Sequence, residues 1–109
     1  MIITSSEKIA DKKIVKTLGL VRGNTIKAKH IGKDIVAGLR NIVGGEIKEY
    51  TEAFSEARET AIERMTKEAE AMGADAIVSV RFTTSQIMSG AAELMVYGTA
   101  VKVLEDNLN

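Results

Sequence analysis

Few side chains in this sequence could do chemistry, and their scarcity narrows the choice at once. His30 is the single imidazole and there is no cysteine, which removes thiolate nucleophiles, thiolate metal ligands and disulfides together. Soft metal ions select thiolate, thioether or imidazole donors. The donors left to this chain are His30 and the thioethers of Met1, Met65, Met72, Met88 and Met95. A closed tetrahedral zinc site cannot be assembled from that set within one chain. Symmetry copies of His30 meeting on the axis of a ring would be the remaining route to a metal, and the sequence itself requires no cofactor. Ser5, Ser6 and Ser55 have no base beside them, because His30 sits in a basic stretch without an acidic orienter. Glu46 and Glu49, three residues apart, read as first-turn acids favoured by a helix dipole. The chain is therefore expected not to be an enzyme.

The stretch Asn41-Ile42-Val43-Gly44-Gly45-Glu46 offers a different chemistry. Consecutive glycine N–H groups can form an anion-binding concavity, and the start of the following helix would add its dipole. Arg40, Gly44, Gly45 and Glu46 are accordingly the candidate ligand-binding residues, placed at a subunit boundary. The same glycines serve as well for a tight corner that ends one helix and turns the chain into the next. The residues leave both roles open.

The composition bounds the rest. The 109 residues make one domain, 1–109, with 45% hydrophobic and 28% charged content, ordinary values for a globular core. Aromatic residues are 4% of the chain, so the core is aliphatic and platforms for base stacking are scarce. With no basic motif either, the sequence speaks against nucleic acid as a partner. Net charge is zero, yet ten Lys and Arg face four acids up to Lys48, and five face eleven from Glu49 onward. Such polarity fits an anion-binding face or two halves that pack beside each other. No run approaches the roughly 18 apolar residues that span a bilayer, and the N-terminal residues lack the pattern of a signal peptide. The cytoplasm is the expected location, with no membrane partner.

The elements that would position these residues follow from periodicity. Ile14 to Ala28 is rich in β-branched residues, with Gly19 as a bulge, Arg22-Gly23-Asn24 as a turn, and an extended segment resuming at Thr25. Ile35, Val36, Leu39, Ile42 and Val43 recur at helical spacing and predict a short helix over 31–43. Phe54, Ala57, Ala61, Met65, Ala69 and Met72 continue a stripe begun at Tyr50, which predicts a long helix over 51–72 ended by Gly73. Met65 and Met72 on that stripe are core filler before they are ligands. Ala76 to Thr83 alternates, with Ala76, Val78, Val80 and Phe82 on one side and Ile77, Ser79, Arg81 and Thr83 on the other. A turn over Met88 to Ala91 returns the chain as a partner strand to Leu104, in which Gly98 marks a bulge or a close contact.

This order predicts an α+β domain: a mostly antiparallel sheet with one short and one long helix on one face. One helical layer cannot cover both faces of the sheet, and Ile77, Met95, Val101 and Val103 are left on the other. Exposed apolar sheet surface marks an interface, so a homo-oligomer is expected.

Four motifs in order resemble the YbjQ-like family, described as heavy-metal-binding. They are Lys13-Ile14-Val15 with Leu18 to Asn24; Arg40 to Glu46 followed by Tyr50; Glu68 to Ile77; and Tyr97-Gly98-Thr99-Ala100-Val101. The resemblance runs nearly end to end. It implies a compact α+β subunit that assembles into a ring, a homopentamer, in which sheets of neighbouring subunits associate. It also implies metal binding, for which His30 is the one candidate ligand of the preferred kind.

Overall fold

The computed structural model describes residues 1–27, 48–88 and 91–106. The expected short helix over 31–43 lies outside the described residues. Strand β1 is Ile2–Ile3, β2 is Lys12–Lys27, helix α1 is Lys48–Ala71, β3 is Ala76–Met88 and β4 is Ala91–Glu105. The strands form one sheet in the order β1-β3-β4-β2. β4 runs antiparallel to both neighbours, whereas β1 pairs in parallel with β3, Ile2 opposite Ala76. The sheet is therefore mixed, and β1 is an addition to the expected strands. So short an apolar pair carries no period of its own and only its partner makes it a strand.

Helix α1 lies on one face because its small residues let it come close. Ala57, Ala61, Met65 and Ala69, four residues apart, are all fully buried. Ala61, Met65 and Ala69 share a core with Val21 of β2, Ile77 and Val80 of β3, and Val96 and Ala100 of β4. Thr25 Oγ1, also buried, donates to the carbonyl of Ala57 at 3.3 Å, so its hydroxyl is not left without a partner inside. Arg64 Nη1 donates to the carbonyl of Asn24 at 2.6 Å and pins the helix to β2 from the outside. The helix stops with the two bonds of a Schellman motif. Gly73 N–H donates to Glu70 O at 2.9 Å and Ala74 N–H to Ala69 O at 3.0 Å, with Gly73 at φ 79°.

Two expectations from the sequence are overturned here. Arg22-Gly23-Asn24 is no turn: β2 continues through it, paired with Val96, Tyr97 and Met95 of β4. Gly23 is needed for another reason. A Cβ there would stand 2.0 Å from Ala61 O and 2.6 Å from Met65 N, so the glycine admits the helix backbone rather than bending the strand. The second concerns β3. The register slips between Val78 and Arg81, and Ser79 takes φ 55°, the mark of a bulge. Ile77 and Val80 therefore join the core beneath the helix, while Ala76 and Val78 face the other way. The simple alternation predicted for this strand fails at that one residue, and Ile77 does not belong to the uncovered face. Gly19 does sit at a register shift, as expected, and Gly98 is the close contact, against Ile77 Cγ2.

The face opposite the helix is not bare along its whole length. Ala76, Val78 and Val101 form a second small core there, with Ile9, Ile14 and Val103 packed on it. The segment between β1 and β2 supplies Ile9, a cover that the sequence does not announce.

Candidate functional site

The residues singled out from the sequence for binding, Arg40, Gly44, Gly45 and Glu46, lie outside the described residues, as does His30. Of the thioethers, Met65 is fully buried in the core and Met72 is partly exposed beside Gly19. Among the described residues no group of three or more His, Cys, Asp or Glu side chains could hold a metal ion. Ser55 Oγ accepts from Arg58 at 3.4 Å.

The described residues do form a site elsewhere, at the outer edge of β3. β1 pairs only with Ala76 and Ile77. The chain just beyond it prolongs the contact by two bonds, Ser79 N–H to Ser6 O at 2.9 Å and Val80 N–H to Thr4 O at 3.0 Å. Past Val80, β3 borders β4 on one side and no described strand on the other. Phe82 and Ile87, in that stretch, are 45% and 48% exposed. Neither joins the core beneath the helix, whose buried residues pack on β2 and β4 and on the first half of β3.

Where the covered half of this edge gives way to the bare half, an open pocket of about 550 Å³ is lined by Ile3, Thr4, Ser5, Ile62, Val80, Arg81 and Phe82. Four of these are apolar and one is a cation. The guanidinium is held: Arg81 Nη1 donates to Ser5 O at 2.8 Å and to Val80 O at 2.9 Å. Thr4 is engaged as well, sharing a hydrogen bond with Ser6 Oγ at 2.9 Å and accepting from Ser6 N–H at 3.2 Å. Arg81 makes no ion pair among the described residues, where the two pairs are Lys12 with Glu105 and Glu63 with Lys67. The bulge at Ser79 sets the phase of the site: it returns Val80 to the helix side with Ile77 and so decides which face Arg81 takes and which Phe82 takes. The sequence shows the uncharged run Phe82 to Met88 after an arginine, but no residue in it announces the bulge.

A match to a family model covers residues 1–104, with the description "putative heavy-metal-binding". The chain belongs to the YbjQ-like family. Relatives in this family include a UPF0145 protein of Methanosarcina acetivorans, 61% identical over 95% of this chain and 98% of its own. Another, from Archaeoglobus fulgidus, is 60% identical over 94% and 95% of the two chains. A UPF0145 protein of Thermosipho africanus is 57% identical over 98% and 99%. Among solved structures, a protein of unknown function of the DUF74 family from Pediococcus pentosaceus superposes with a TM-score of 0.55. It covers 97% of this chain and 98% of that one at 19% identity, a likeness of fold. The description of the YbjQ-like family names metal binding and no reaction. Among the described residues no helix is long and apolar enough to cross a membrane.

Proposed function

We propose that this chain is a non-enzymatic, cytoplasmic subunit of a homo-oligomeric ring, a pentamer on the strength of the family resemblance, whose work is to bind a small ligand. The observation that carries the reading is the incomplete cover of the sheet. The outer edge of β3 has no partner beyond Val80 among the described residues, and Leu20, Ile26, Phe82 and Ile87 are exposed at 63%, 60%, 45% and 48%. The radius of gyration of 17.7 Å exceeds the roughly 13 Å of a compact domain of about this length, as suits a subunit that completes its core against others.

The two outer edges of the sheet favour a ring over a two-fold dimer. The edge on β2 carries Lys12, Lys13, Lys16 and Arg22 and two register shifts, devices that discourage like-with-like pairing. The bare half of β3 is uncharged after Arg81. Contacts between unlike edges are heterologous and close into a ring when the rotation allows. The finer alternative places an anion site at the subunit boundary, on Arg40, Gly44, Gly45 and Glu46. Mass in solution at micromolar concentration tests the reading: several chains are expected, and the mass of one chain overturns it.

The family's description favours a second reading, metal binding. His30 is the imidazole available for it, through copies meeting on the ring axis. Metal analysis of untagged protein, followed by titration, would sink this if wild type and His30→Ala alike bind nothing.

A further inference from the structure

We infer that the pocket at the edge of β3 is a binding site for a small organic monocarboxylate with an apolar body, anchored on Arg81. The two hydrogens of Arg81 Nη1 are accounted for by Ser5 O and Val80 O. These bonds hold the planar group in place and leave Nε and Nη2, one edge of the guanidinium fork, without a partner among the described residues. Two parallel N–H donors of that geometry match the two oxygens of a carboxylate. No carboxylate of the described chain takes the place, since Arg81 appears in neither ion pair there. Ser5 lends its backbone carbonyl to Arg81, and its own hydroxyl is free of hydrogen bonds to the described residues, so it can serve as a further donor to the anion.

The rest of the wall decides between anions. Ile3, Ile62, Val80 and Phe82 line the same 550 Å³ space, a volume within the range of small-molecule sites. A phosphate would set strongly hydrated oxygens against these side chains, at a desolvation cost that one guanidinium does not offset. A carboxylate on a short aliphatic or aromatic body places one end on Arg81 and buries the other on Ile62 and Phe82. A metal cation is disfavoured by the fixed positive charge. The pocket lies within one chain, and of its lining Phe82 also belongs to the bare edge that the ring reading uses, so the variants that test the site leave Phe82 in place.

The test is an NMR titration of the full chain, labelled at backbone amides, isoleucine methyls and arginine Nε, with sodium pentanoate. The expected result is a saturable shift of Ile3, Ile62, Arg81 and Phe82 in the millimolar range. Pentylammonium should leave these resonances in place, and phosphate should move them far less. Arg81→Gln is expected to weaken pentanoate binding about tenfold or more. Arg81→Lys should weaken it too, because it keeps the charge and loses the fork. Ser5→Glu, at an exposed position of the lining, puts a carboxylate beside the guanidinium and should abolish binding, which covers the case in which the Arg81 variants fold poorly. Absence of a saturable shift in the wild type overturns the inference. So does full binding by a folded Arg81→Gln or Ser5→Glu, or phosphate acting as strongly as pentanoate. Particle mass measured on the same sample reports on the ring alone.

Discussion

Gly23 lies directly under the backbone of Ala61, so close that a Cβ on the glycine would stand 2.0 Å from the Ala61 carbonyl oxygen. Helix and strand meet there backbone to backbone, between the anchors that Thr25 makes to Ala57 and Arg64 makes to Asn24. Gly23→Ala should therefore lift the helix off β2. We expect a loss of about 3 kcal/mol or more, at the upper end of overpacking costs, read from urea unfolding monitored by circular dichroism. A variant as stable as wild type would mean the helix can shift along the sheet at no cost.

Met65→Ala removes the largest of the fully buried side chains among the described residues. A loss of about 2–5 kcal/mol is expected, again by denaturant unfolding. Cavity formation beneath the helix predicts a lower midpoint with an unchanged slope.

At Gly73 the expectation is smaller and has a different cause. Nothing stands within 4 Å of a Cβ built there, and φ is +79°, so the cost of Gly73→Ala is conformational alone. About 1–2 kcal/mol should be lost. Gly73→Asn should recover part of it, since Asn tolerates the left-handed region better. Equal losses for Ala and Asn would show that the Schellman bonds, and not the torsion, carry the cap.

Ser79 provides a further backbone test. At φ 55° a β-branched residue is strained, so Ser79→Val should cost roughly 1–3 kcal/mol, whereas Ser79→Gly should be tolerated. Thermal melts of the two variants would distinguish them, and equal melting would mean that the bulge relaxes on substitution.

The bare edge makes a prediction about assembly. Phe82→Lys combined with Ile87→Lys adds charge to exposed positions on a strand whose outer edge has no partner there among the described residues, the device by which natural edges resist pairing. The double variant should fold and show a smaller particle mass than wild type by light scattering. An unchanged multi-chain mass would place the subunit contact elsewhere.

Much of the frame was legible beforehand because it rests on repeated signals. The helical stripe through Ala57, Ala61, Met65 and Ala69 has many members, and Gly73 punctuates it. The hairpin of β3 and β4 follows from two β-prone runs around one turn. What was not legible depends on tertiary contact. Gly23 looked like turn chemistry because a glycine beside Asn reads that way locally, and only the helix above shows why a strand needs it. Ile2 and Ile3 are too few to carry a period, and Ile9 packs on the cluster of Ala76, Val78 and Val101 from a segment with no pattern. In the sequence Arg81 reads as one member of an alternating strand. Its neighbours in the pocket come from β1, the helix and β3, an association that no spacing in the sequence encodes.

The slip at Ser79 makes the pocket a matter of parity. Straighten the strand there, with every residue kept, and the later half of β3 is read in the opposite phase. Phe82 would then face where Arg81 faces now, and the guanidinium would point beneath the helix. Which charge meets a ligand at this edge is thus set by whether a count is odd or even. A relative that conserved the arginine but lost the bulge would keep the residue and lose the site.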